Sequence, residues 1–149
     1  MTRLALEMAE RLREKGLEVD VGLVEAGALL HDIGRGSTHE VDHAAVGGRM
    51  VRRLGLPEAV ARIVDRHVGG GIPRAEARRL GLPEGVYVPE TLEEKLVAYA
   101  DKLICGSKVV DIRVTIDDFA GKLGQNHPAI RRLRDLHEEM SLLLGVKGF

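Results

Sequence analysis

The feature that most narrows the fold of this chain is a set of four segments with helical apolar spacing, each carrying an imidazole or a carboxylate on its apolar face. His31 shares its face with Val24, Gly27 and Ala28, seven, four and three positions earlier. His43 heads a stripe with Val46, Gly47, Met50 and Leu54, and His67 closes one with Val60, Ile63 and Val64. Asp101 lies between Val97 and Ala98 on one side and Ile104 and Cys105 on the other. Asp32, directly after His31, is expected to point inward with it, where an uncompensated carboxylate is costly. A hydrogen-bonded His-Asp pair in a core accounts for one such segment. A shared metal site accounts for all four.

Helical stripes alternate with Gly and Pro punctuation along the whole chain, and no segment of period two is long enough to demand a sheet. This predicts an all-α, single-domain helical bundle with helices over 2–15, 20–33, 41–55, 57–68, 73–80, 91–106, 116–123 and 128–144. Asp20 is expected to cap the second helix, Pro57 to open the fourth and Gly69-Gly70-Gly71 to end it. Thr91 with Glu94 has the spacing of a capping box, as do Ser37 with Glu40 and Thr115 with Asp118. The stretch 81–89, punctuated by Gly81, Pro83, Gly85 and Pro89, reads as a loop.

With 149 residues and 44% hydrophobic content, one buried core is the natural count. The single cysteine, Cys105, makes no internal disulfide, and no leader or long apolar run suggests export or a membrane, so a cytoplasmic location is expected. Lysine and arginine total 22 against 23 acidic residues, which gives no electrostatic case for duplex DNA as a partner. Gln125 and Asn126 are the only amide side chains while 30% of residues are charged, a bias of thermostable proteins.

The order His-Asp, His, His, Asp, with the phrases Leu30-His31-Asp32-Ile33-Gly34 and Ala100-Asp101-Lys102-Leu103, resembles the HD superfamily of metal-dependent phosphohydrolases from the first helix to about Ile104. The inward histidines at 43 and 67 are similar to its two-metal branch, which includes the HD-GYP cyclic dinucleotide phosphodiesterases and bacterial HD diadenosine tetraphosphate hydrolases. Gly34-Arg35-Gly36-Ser37-Thr38-His39, Arg66-His67-Val68-Gly69 and Pro89-Glu90-Thr91-Leu92-Glu93-Glu94-Lys95 resemble a small uncharacterised archaeal HDIG-type group. The resemblance implies one HD domain over 1–149, in which His31, Asp32 and Asp101 hold one metal. Asp32 then bridges to a second metal held by His43 and His67, and metal-activated water attacks phosphorus. Imidazole and carboxylate donors suit iron, manganese, cobalt, nickel or zinc, as one or two ions. The implied substrate is a small phosphorylated compound, in the first place a nucleotide. The superfamily pattern also has a histidine on the first helix, about a turn before Met1; none lies between Met1 and His31, so either the start is late or one ligand is lost.

Arg35, three residues past Asp32, is the candidate catalytic and substrate-binding fork for phosphate oxygens, against a solvated loop arginine. Lys95 and Lys102 flank Asp101 and are candidate substrate-binding cations, or surface charges. Gly69-Gly70-Gly71 lets backbone amides approach a phosphate, or is only a turn. His39, four before His43, has a chelating spacing, whereas His127 and His137 read as surface residues. Two functions of other classes stay open. One is a metal-containing nucleotide-binding or regulatory module with little catalysis. The other is a nuclease on single-stranded RNA, against which stand only two Phe, two Tyr and no Trp. Substrate identity and oligomeric state are open at this level.

Overall fold

Leucines, alanines and a methionine at helical spacing form α1 (Thr2–Glu14), which buries Leu4, Ala5, Met8, Ala9 and Leu12. In a computed structural model describing residues 1–145, it is followed by α2 (Val21–Leu30), a 3-10 turn (Ile33–Gly36), α3 (His43–Arg53) and α4 (Glu58–Asp65). Then come α5 (Arg74–Arg79), α6 (Leu92–Lys102), a hairpin of β1 (Ile104–Cys105) with β2 (Lys108–Val109), α7 (Ile112–Leu123) and α8 (Pro128–Leu144). Among the described residues the fold is all-α apart from that two-residue antiparallel pair and an isolated Ile72–Tyr87 bridge. No helix among the described residues is long and apolar enough to cross a membrane.

Helix α6 is the axis of the core. The capping box forms, with Thr91 Oγ1 accepting from the Glu94 amide and the Glu94 carboxylate accepting from the Thr91 amide. The run Leu96 to Ala100 that follows is fully buried, as a helix packed on all sides must be. Helices α1, α2, α4 and α8 surround it, and α8 contributes Ile130, Leu133, Leu136, Met140 and Leu144. Asp20 caps α2 by accepting from the Leu23 amide, and its own amide donates to Glu93 on α6.

Several helices end earlier than their stripes predict, and close glycine packing explains the first case. α2 stops at Leu30 rather than 33, because the 3-10 turn lies against α3 through Gly34, where an added Cβ would collide with the His43 carbonyl. Gly47 completes that contact: a Cβ there would come within 2.8 Å of Val64 Cγ1. α6 stops at Lys102 rather than 106, since the chain turns at Gly106 (φ +63°) to pair Ile104 with Val109.

α7 starts at Ile112 instead of 116, capped by Asp111, which accepts from the Arg113 amide. The Thr115–Asp118 box does not form, because the Thr115 hydroxyl donates to the Lys102 carbonyl. The Ser37–Glu40 box does not form either; Thr38 Oγ1 accepts from the Glu40 amide. His127 and His137 are structural rather than surface groups. His127 caps α8 by accepting from the Ala129 amide, and His137 Nδ1 and the Tyr99 hydroxyl are hydrogen-bonded at 2.7 Å.

Candidate metal centre

Helix ends position this site. His31 and Asp32 are the first residues past α2, His67 follows α4 by two residues, His43 opens α3, and Asp101 sits in the last turn of α6. The final carbonyls of a helix have no intrahelical donor. His31 Nδ1 donates to the Ala28 carbonyl and His67 Nδ1 to the Val64 carbonyl, each at 2.7 Å. His43 Nδ1 donates to the Glu40 carbonyl at 2.9 Å. A carbonyl only accepts, so the Nδ1 proton is fixed in all three rings and each Nε2 is left to face the interior.

The Nε2 atoms of His43 and His67 are 3.1 Å apart, and Asp32 Oδ1 lies 3.5 Å from the first and 3.3 Å from the second. With Nδ1 carrying each proton, these are acceptors without a donor among them, and a cation is what satisfies them. Metal–ligand bonds of about 2.1 Å set neighbouring ligand atoms about 3.0–3.4 Å apart in octahedral and tetrahedral shells, close to the spacing here. Asp32, His43 and His67 thus form a group able to hold a metal ion. His31 Nε2 extends the cluster, 3.2 Å from Asp32 Oδ2 and 3.3 Å from Asp101 Oδ1.

The charges at the cluster favour a cation. The His31 imidazole, 3.2 Å away, holds the Asp32 carboxyl well below the usual carboxylate range. Burial raises Asp101, but the Lys102 ammonium and His31 outweigh it and leave that carboxyl low too. Burial also lowers His31, yet Asp101 and Asp32 overcome it and push the imidazole up to about 9. Burial dominates at His67 and lowers it, favouring the neutral imidazole that a metal requires.

A cavity of about 440 Å³ opens over this floor. Arg35 lines it, with Nε 3.4 Å from Asp32 Oδ1 and about half of its side chain buried. Two candidate substrate-binding lysines have other employment. Lys102 is 5% exposed, and its ammonium donates to the His67 carbonyl (2.6 Å), Asp101 Oδ2 (2.8 Å) and the Ala98 carbonyl (3.4 Å). All three of its protons are used; it fixes Asp101 and ties α6 to the segment after α4. Lys95 pairs with Glu139 on α8 at 2.7 Å and does not line the cavity. His39 is exposed and lies outside the cluster. Of the three glycines only Gly69 lines the cavity, because Gly70 packs against the Arg132 backbone and Gly71 (φ +107°) against Val88.

Sequence reasoning missed the ion pair beside the site. Arg66 Nη1 donates to Glu94 Oε1 at 2.8 Å, and both residues are buried. The capping box revealed one role of Glu94, but its second partner is distant in sequence.

The HD domain family profile matches residues 1–104. An uncharacterized protein of Methanocaldococcus jannaschii is 49% identical over 144 residues, covering 97% of this chain and 85% of that protein. A tRNA (cytidine(56)-2'-O)-methyltransferase of Picrophilus torridus is 41% identical over 143 residues, 96% of this chain but only 40% of the enzyme. Ribonuclease Y of Acidothermus cellulolyticus is 36% identical over 104 residues, covering 56% of this chain and 21% of that protein. No solved structure matches. All five clustered residues fall inside the matched span, and the chain belongs to the HD domain family of the metal-dependent hydrolase superfamily, with an archaeal relative along nearly its whole length.

Proposed function

We propose that the chain is a metal-dependent phosphohydrolase acting on a nucleotide or other small phosphoester, with His31, Asp32, His43, His67 and Asp101 holding one or two divalent transition metal ions. The observation that carries this reading is the convergence of His43 Nε2, His67 Nε2 and Asp32 Oδ1 as acceptors without a donor. Iron, manganese, cobalt, nickel and zinc suit such mixed donors. When bound, the metal lowers the pKa of a water molecule and polarises a phosphoryl oxygen.

The chain's residues do the rest. Two helix-end carbonyls, Ala28 and Val64, and the Glu40 carbonyl just before α3 keep the Nδ1 protons in place and the Nε2 atoms aimed inward. Lys102 holds Asp101 Oδ2, leaving Oδ1 toward His31. Arg35, beside Asp32 at the cavity, binds the remaining phosphate oxygens. Two relatives named for work on RNA, a tRNA methyltransferase and a ribonuclease, support a nucleotide-like substrate over other phosphoesters. The domain continues past the matched residues, since α7 lines the cavity and α8 completes the core.

Chelator-stripped protein reloaded with each metal in turn, and assayed on phosphomonoesters, cyclic dinucleotides and dinucleoside polyphosphates, tests the reading. At least one pair of metal and substrate is expected to turn over. Asp32→Ala is expected to drop that turnover to background while keeping the helical circular dichroism, because the core is built from the leucine and valine stripes. A protein that binds metal and nucleotide but cleaves nothing is a binding module, and the hydrolase reading fails.

A further inference from the structure

Besides the His and Asp floor, the cavity is lined by α7, which lies beyond the residues the family profile matches. This helix has two working faces. Ile112 and Ile116 enter the core, while Val114, Thr115, Asp118, Phe119 and Lys122, at helical spacing, line the cavity. Phe119 is one of two phenylalanines in the chain and is only half buried. Val114, 49% exposed, and Ile104 of the hairpin line the same cavity. Gly69 (φ +56°) stands next to the ring, where an added Cβ would be in ordinary contact, 3.9 Å from Phe119 Cε1.

The two halves of the cavity ask for different chemistry. The floor and Arg35 suit a phosphate, whereas Phe119, Val114 and Ile104 offer an apolar surface to a flat ring. Asp118 and Lys122 pair with each other at 3.2 Å, and Phe119, packed in part against the core, turns its remaining surface to the cavity. One ligand that satisfies both halves is a nucleotide, and about 440 Å³ is room for a single nucleotide unit. We propose that Phe119 is the platform of a nucleobase-stacking subsite, which makes the site select nucleotides over phosphate esters that lack a base. This rests on the phosphoester reading of the same site and adds its substrate class. Stacking on one aromatic ring changes affinity on the order of tenfold per base and is indifferent to which base.

The test is calorimetric binding of the hydrolysis-resistant phosphonate analogues of AMP and of ribose 5-phosphate to the Mn²⁺-loaded protein. The AMP analogue is expected to bind about tenfold tighter. Phe119→Leu keeps the apolar bulk and should bring the affinity ratio near one, and Phe119→Trp should restore it. Equal affinities in the wild type, a ratio unchanged in Phe119→Leu, or no binding of either analogue overturns the subsite. Because binding is read without turnover, selective binding by a protein that cleaves no phosphoester keeps the subsite and refutes the hydrolase. Cleavage of phosphoesters without a preference for a base does the reverse.

Discussion

Three backbone carbonyls set the chemistry of His31, His43 and His67, because each accepts the Nδ1 proton and leaves Nε2 facing the cluster. That the polar residues turn inward was legible in the sequence, since a residue three, four or seven places from buried Val24, Val60 or Val97 shares their face. That two of the histidines sit just past helix ends was not, because a stripe does not say where the last hydrogen bond falls. The same gap hid the partners of Lys102, whose acceptors include a carbonyl 35 residues away. Arg35 is the residue at the cavity whose contribution is separable from the metal. Arg35→Ala is expected to raise KM about tenfold, the worth of a hydrogen bond to a charged group, with metal content unchanged. Steady-state kinetics with elemental analysis reads both, and unchanged kinetics makes Arg35 a solvated loop residue.

Elements meet at the site through a buried ion pair. Arg66 ends α4 one residue before His67, and Glu94 opens the helix that carries Asp101. Glu94 Oε1 accepts from Arg66 Nη1 and from the Glu90 amide at 2.9 Å, so one carboxylate both caps α6 and anchors α4. Burial alone would raise this carboxyl, but the Glu90 amide and Arg66 outweigh it and lower it below its ordinary 4.5. A depressed folded pKa adds stability above the unfolded value, and that stability is lost as pH falls through the folded one. Glu94→Gln is expected to cost about 3 kcal/mol at pH 7, because it leaves the Arg66 charge without its partner. The gap from wild type should narrow below about pH 4.5. Urea unfolding at pH 7 and pH 3.5 measures it, and a gap independent of pH shows that the pair carries no charge coupling. The capping half of this device was readable from Thr91 and Glu94, while the half reaching 28 residues back was not.

Across the whole molecule, the apolar periods of α1, α3 and α4 suffice for the fold class, because helices with one apolar face can only bury it against each other. The wall formed by α7 was hidden, since the expected helix began at 116 and left Val114 outside it, and the hairpin that precedes α7 was not foreseen. The cluster itself draws on α2, α3, α4 and α6, segments spread from residue 31 to residue 101, so a bound ion would cross-link most of the bundle. Its direct measurement is the metal content of protein stripped by chelator, reloaded with manganese, iron, cobalt, nickel or zinc, and desalted. Wild type is expected to retain at least one equivalent of one of these metals and Asp32→Ala to lose most of it; a wild type that retains none contradicts the metal centre.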